Sequence, residues 1–469
     1  MQAIQSIPGR AFILITLLLM SGTLIAAEDA LDYYFADLTF RDDITTRQYE
    51  TVQLRLRNDQ FDQARDAAEI LIDDNLDLAT SNPVLFGQLL ANLGVILAYQ
   101  EKYLEAMQAL DTSLQTIEEF SNPFTFTLKK ISMARGLVQM QLGLFEEAEE
   151  SFRRAQHITH RIGGVYSPDQ LEVLRHLTKL NLKQGKLPDA DREQEFSLRV
   201  TEQVYGENSE ELLPILQRLG AYFASRGNMF SLVDAPDYRY FRDRMFRQSI
   251  GYYNRSIEIV EDNYGVNDPR LIEPLRGLAR ARLLQITNRS AAEAALERVL
   301  QIVNSNPETD VPDRVKAMIS LGDIYTITGD RRAAQIYLNA WQLMQEDAAY
   351  LQLSAEIFGT PTRLHPEITG ILYLKRKPDA ATEEDVELFI DVAYSVQLNG
   401  RVNNIVLIDK NVPNAQVRYM RSHLADARFR PRILDGELVA TENLMIHQTF
   451  EVIGKAPQST NISVGQGPQ

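Results

Sequence analysis

The sequence predicts a mainly α chain: an α-solenoid of stacked helical hairpins, followed by a small α+β domain of order ββαβ. Two observations carry this. Small residues recur with a period of 42 through the middle of the chain, and near residue 388 the hydrophobic pattern changes from helical spacing to alternation. The size agrees. At 469 residues the chain exceeds one ordinary core, its 45% apolar content is that of folded protein, and its formal charge is −16. That acidic balance argues against nucleic acid or anionic lipid as partner, because phosphate binding ordinarily draws on a basic excess. The absence of Cys excludes disulfides, thiolate metal sites and thiol chemistry.

Residues 1–27 read as a secretory signal peptide: Arg10, then the apolar run Ala11 to Ala27 ending in the small pair Ala26-Ala27, then Glu28 and Asp29. The expectation is a periplasmic protein. The alternative is an uncleaved inner-membrane anchor with the rest facing the periplasm, since a segment of 17 residues lies at the lower limit for a span.

Residues 28–348 form the predicted array. Ala64, Ala106, Ala148 and Ala190 are spaced by 42, each three residues after an aromatic or Leu (Phe61, Tyr103, Phe145, Leu187). Gly94, Gly136, Thr178 and Gly220 keep the same period in a second phase. Helices that pass closely need small residues where backbones approach, and flanking runs such as Leu89 to Gln100 are apolar at helical spacing. Gly143, Gly185, Gly227 and Gly329 are expected in the turns between paired helices, and Pro83 and Pro168 at the start of repeats. The count is seven helix pairs. An insertion at about 228–247 interrupts the fifth, where about 18 extra residues break the period.

These residues resemble the tetratricopeptide repeat in its 42-residue form, like that of kinesin light chain arrays, from Asp43 to about Asp347. Leu321-Gly322, Tyr325, Gly329 and Ala334 make the last copy fit best; the first lacks the Gly, as a capping repeat does.

Residues 349–380, with Gly359, Pro361, Pro366 and Pro378, read as a linker containing one strand at Gly370 to Lys375. In 381–456, Val392, Tyr394 and Val396 share one face of a strand, Asn399-Gly400 turns the chain, and Val402 to Ile408 returns. Pro413 to Ala427 is a helix with the stripe Val417, Met420, Leu424, and a last strand runs near Asn443 to Val452. Residues 457–469 are a polar tail predicted to be disordered. This domain resembles the C-terminal domain of the TonB energy transducer through Asn399-Gly400, Arg428-Phe429-Arg430-Pro431 and Asp435-Gly436-Glu437-Leu438-Val439. The resemblance implies that its last strand pairs with an extended peptide, using Asn443, Met445, His447 and Phe450 as the edge.

Chemistry is not expected. The six His have no metal-ligand spacing with acidic partners, His157 and His160 read as surface residues at a helix end, and no nucleophile or phosphate-loop motif is present. No cofactor, metal or small-molecule substrate is predicted. Binding is. The 42-residue register puts Lys130, Met133, Arg175, Lys179, Lys183 and Gln217 on the inner wall of first helices, a basic groove for an acidic or C-terminal peptide. The insertion offers Tyr238, Arg239, Tyr240, Phe241, Arg242 and Phe246, aromatic and Arg side chains of the kind that anchor interfaces, or that plug neighbouring repeats. The function read from these features is a periplasmic scaffold or adaptor for protein or peptide partners, envelope or outer-membrane proteins among them. The alternative is a TonB-like energy transducer, anchored in the inner membrane and contacting outer-membrane transporters.

Overall fold

A helix can lie close against its partner only where one side chain makes room, and the periodic residues do this. In a computed structural model that describes residues 34–36, 38–229, 236–285, 289–365, 372–375 and 388–453, Ala64, Ala106, Ala148 and Ala190 are all fully buried. A Cβ on Gly136 would stand 2.6 Å from the ring of Phe152, and one on Gly94 2.8 Å from Leu110. Each glycine therefore accommodates a large side chain from the second helix of its own pair. The last repeat is looser at this position, with Ala334 only half-buried.

The chain divides into two units, Met1–Leu219 and Gly220–Gln469. In the first unit the pairs are α1 (Asp43–Arg57) with α2 (Phe61–Asp73), α4 (Pro83–Tyr99) with α5 (Tyr103–Phe120), α6 (Phe126–Gln141) with α7 (Phe145–Gly163), and α8 (Gln170–Lys183) with α9 (Leu187–Tyr205); α3 (Leu78–Ser81) is a single turn. Local chemistry sets the starts. Asp42 accepts from the Thr45 amide at 2.7 Å to cap α1, and Pro83 occupies the first turn of α4. Gly143 and Gly185 turn the chain with left-handed φ.

The fifth pair, α10 (Leu213–Met229) and α11 (Pro236–Tyr264), carries the insertion. Here the reading of Gly227 as a turn residue is corrected. It lies inside α10, where a Cβ would meet the Phe246 ring at 2.7 Å, because the inserted residues lengthen both helices past the usual turn. In the second unit, α12 (Ile272–Leu284) pairs with α13 (Arg289–Ser305), and α14 (Val311–Thr328) with α15 (Arg332–Gln345), which completes seven pairs among the described residues.

The stretch read as a linker is partly structured. It holds α16 (Leu351–Phe358), whose Phe358 is buried with Val315, Tyr337 and Met344 of the last pair, and β1 (Thr362–His365). Next come β2 (Leu372–Lys375), β3 (Leu388–Val396), β4 (Val402–Lys410), α17 (Asn414–Asp426), β5 (Arg428–Arg430), β6 (Arg432–Leu434), β7 (Glu437–Val439) and β8 (Thr441–Ile453). The main sheet has the order β2-β8-β3-β4, with β3 antiparallel to both neighbours and β2 parallel to β8. Val392 and Tyr394 are buried as the alternation requires, and α17 covers the sheet with Val417, Met420 and Leu424. The predicted ββαβ order is thus present, with three short strands between the helix and β8. The signal segment, residues 230–235 of the insertion, residues 366–371 and 376–380 of the linker and the tail lie outside the described residues. Among those described, no helix is long and apolar enough to cross a membrane.

Candidate functional site

Successive residues on a helix are rotated by about 100°, so positions two apart face nearly opposite ways. Gly94 faces α5 through Leu110. Asn92 consequently faces away from its partner helix, onto the wall made by first helices. His176 stands 84 residues, two periods, beyond Asn92. It has the same geometry on α8, where Thr178 accepts from Gln194 of α9 at 3.0 Å.

That wall is occupied by residues of the same chain. The Asn92 side chain accepts from the Ala36 amide at 2.7 Å and donates to the Ala36 carbonyl at 3.0 Å. One side-chain amide therefore satisfies both main-chain groups of a single residue, an arrangement indifferent to that residue's side chain. Tyr49 on α1 also donates its hydroxyl to the Ala36 carbonyl. Its ring stacks on Phe35 at a centroid distance of 6.1 Å and meets Phe40 at 5.6 Å.

Tyr34, only 2% exposed, ends in a polar pocket on α8. Its hydroxyl donates to Glu172 Oε1 at 2.5 Å and lies 2.9 Å from His176 Nε2. Arg175 donates to the same carboxylate at 2.9 Å, and His176 Nε2 is 3.2 Å from it. The imidazole is fully buried and stacked on Phe152, 5.4 Å between centroids and 14° between planes. Burial alone would push the Glu172 carboxyl up. The hydrogen bonds from His176 and Tyr34 and the charge of Arg175 outweigh it and hold this acid down to about 2.

Of the residues the register assigned to the wall, Lys179 and Lys183 are exposed on α8, while Lys130 on α6 and Gln217 on α10 are half-buried. Arg175 is half-buried with its charge directed into Glu172. Met133 is corrected: it is fully buried, a member of the first unit's apolar cluster, and lines no open groove. In the insertion, Arg239, Tyr240 and Phe241 are exposed and Arg242 is half-buried, 3.6 Å from Asp243. Phe246 is corrected to a core residue under Gly227, and the Tyr238 side chain lies outside those described.

The expected edge strand needs correction at Phe450, where β8 is paired on both sides. β8 is bounded on one side by β3 and, over Phe450–Ile453, by β2 on the other. Phe450 is buried in the domain's core. Asn443 sits at positive φ where the register with β3 shifts, which makes it a bulge residue. Met445 and His447 are exposed, His447 with its Nδ1 2.6 Å from Asp391.

A second polar cluster joins the small domain to the last helix pair. Arg430 of β5 makes two parallel bonds to Asp323 of α14, 3.0 Å from Nε and 2.8 Å from Nη2. Tyr337 of α15 donates to the same carboxylate at 2.7 Å, and its hydroxyl lies 3.0 Å from that of Thr326. Burial, reinforced by the Asp323 charge, pushes the Tyr337 phenol well above its ordinary range. Among the described residues no group of three or more acidic or His side chains is arranged to hold a metal.

The tetratricopeptide repeat family profile matches residues 130–158, which lie on α6 and α7. No curated protein matches the chain. Among solved structures, the C-terminal part of a TPR repeat-containing protein from Cytophaga hutchinsonii aligns at 12% identity, covering 66% of this chain and 98% of that one, with a TM-score of 0.41. The apo form of the quorum sensor NprR from B. thuringiensis aligns at 12% identity over 68% of this chain and 92% of its own, with a TM-score of 0.31. The TPR2AB domain of yeast Sti1, solved with pHSP90, aligns at 14% identity over 67% and 94%, with a TM-score of 0.23.

Proposed function

We propose that this chain is a non-catalytic scaffold for protein–protein interaction, whose helical array receives a peptide or protein segment on the wall of its first helices. The observation that carries the reading is the Asn92 side chain satisfying both main-chain groups of Ala36. A wall that holds one polypeptide segment through its backbone has the chemistry to hold another. We further propose that it acts in the periplasm, brought there by the apolar segment Ala11 to Ala27, with envelope or outer-membrane proteins as partners. On this reading the TonB-like domain is a binding module recruited to the end of the array. The energy-transducer reading ranks second, because it draws on a free final strand and β2 lies along part of β8.

The test is a pull-down from envelope extract with the tagged full chain, beside a variant carrying Asn92→Ala and Glu172→Gln. Proteins retained by the first and lost by the second identify the wall as the binding surface. Equal recovery by both would remove the wall from the proposal.

A further inference from the structure

The residues seated on the wall have a defined chemistry: a tyrosine whose hydroxyl is bound, an aromatic that stacks, and a small residue gripped by its backbone. We infer that Tyr34–Ala36 is a tethered occupant of a site selective for a Tyr-aromatic segment of a partner protein, and that the partner must displace it. This rests on the scaffold reading and names the partner class.

Three features specify the ligand. The third position follows from Asn92 and Tyr49, which converge on the backbone of residue 36 and read no side chain there, so any residue with a backbone N–H can occupy it. The middle aromatic follows from the Tyr49 ring, nearly parallel to Phe35 at 13°. The tyrosine follows from the α8 pocket. Glu172 Oε1 and His176 Nε2 both lie within hydrogen-bond distance of one phenolic oxygen, in a place where His176 is fully buried. A phenylalanine would fill the same volume and leave these two groups without the hydroxyl they converge on, and a site built around a hydroxyl discriminates strongly against its absence. The ionised Glu172 also repels a phosphorylated tyrosine, so the ligand is the unmodified residue.

Tethering lets a short segment hold the wall, with Leu38 and Phe40 packed beside it. The segment precedes α1 by only a few residues, so its local concentration is high and an external ligand must compete with it.

The experiment uses the full chain with the site vacated by Tyr34→Ala and Ala36→Pro; the proline removes the N–H that Asn92 accepts. Helical circular dichroism and a thermal melt establish that the variant is folded. The probe is a fluorescein-labelled synthetic peptide of residues 31–40, Leu-Asp-Tyr-Tyr-Phe-Ala-Asp-Leu-Thr-Phe, followed by anisotropy. Saturable binding to the vacated chain is expected, at least tenfold weaker binding to the wild type, and at least a tenfold loss when the peptide carries Tyr34→Phe. Adding Asn92→Ala to the vacated chain should abolish binding. Equal binding of the Tyr and Phe peptides would overturn tyrosine selection, and equal binding to vacated and wild-type chains would overturn the tethered occupant. An array of unrelated peptides separates the two levels. If the folded, vacated chain binds array members and not its own segment, this inference falls and the scaffold reading stands; if it binds no peptide at all, both fall.

Discussion

Two clusters in this molecule use the same chemistry to opposite ends. At the end of the array, Arg430 and Asp323 join residues 107 apart in sequence. On the wall of the first unit, Tyr34 reaches Glu172 over a separation of 138. Each is an acid of a first helix engaged by a distant segment and buttressed by further donors. They differ in what surrounds them. The Arg430 and Asp323 side chains are 6% and 13% exposed. Ile433 and Leu438, on the strands that follow, are packed into one core with α14, α15 and α16. Glu172 is 25% exposed, and what meets it is a short segment whose Tyr34 and Phe35 enter the apolar cluster of the first unit, with Leu38 and Phe40 packed against it. The first cluster is a permanent joint and the second a seat. A charge pair does not decide permanence; how much of the chain must come apart with it does, a whole domain at Arg430 and a short segment at Tyr34.

The sharpest way to break the comparison is Asp323→Ala. It strands the Arg430 guanidinium among buried groups, and losing one member of a buried pair costs about 3–5 kcal/mol. Trp341 is the only tryptophan in the chain and lies in this core, 3.3 Å from where a Cβ on Gly436 would be. Its fluorescence during a guanidinium titration should show an earlier transition. Replacing both partners by apolar residues, Asp323→Leu with Arg430→Met, should recover much of the loss. If Asp323→Ala leaves the transition unmoved, the joint does not depend on this pair. Next in size is Gly400→Ala, in the β3–β4 turn. Gly400 has φ +75, and a Cβ there would run into the carbonyl oxygen of Phe429 and come within 2.7 Å of the Thr326 methyl. Left-handed strain plus a backbone collision should cost about 2–3 kcal/mol, read by the same fluorescence.

What the sequence revealed follows from which residues carry periodic information. Gly136 and Ala148 were visible because packing requires a small residue at fixed intervals, and Val392, Tyr394 and Val396 because a sheet face alternates. The seat was half legible. Its register was available, since Glu172 is the positional equivalent of Lys130 and His176 that of Asn92. A basic cluster on the wall points past both, because charge pattern says nothing about a neutral amide reading a backbone. Met133 and Phe246 were misplaced for a related reason. Periodicity assigns a side of a helix, and only the fold shows whether that side is buried, as it is at Met133 and at Phe246 under Gly227. The joint at Arg430 could not be read at all, because its partner lies in a different repeating pattern.

A smaller effect is expected at the seat, and it depends on pH. The Glu172 carboxyl is held near 2, below the 4.5 of an unperturbed glutamate. A depressed acid contributes stability that is complete above its unfolded value and lost as pH falls from 4.5 towards 2. The full shift corresponds to at most about 3 kcal/mol, and partial exposure reduces this to about 1–2 kcal/mol. Thermal melts of wild type and Glu172→Gln should therefore differ most at neutral pH and converge in acid. A difference that persists unchanged at low pH would assign the loss to packing.

The smallest global effect should come from Asn92→Ala, and here the distinction between seat and joint is most exposed. The substitution removes both bonds to the Ala36 main chain while leaving Gly94 and its contact with Leu110 in place. If the segment is a detachable occupant, unfolding of the array should shift by less than about 1 kcal/mol. The amide of Ala36 should nevertheless exchange with solvent at least tenfold faster in hydrogen-exchange mass spectrometry, because local opening no longer breaks the side-chain clamp. A loss comparable to that of Asp323→Ala, with α4 exchanging along with residue 36, would mean that the segment is part of the array's core, and the wall would then have no vacancy to offer a partner.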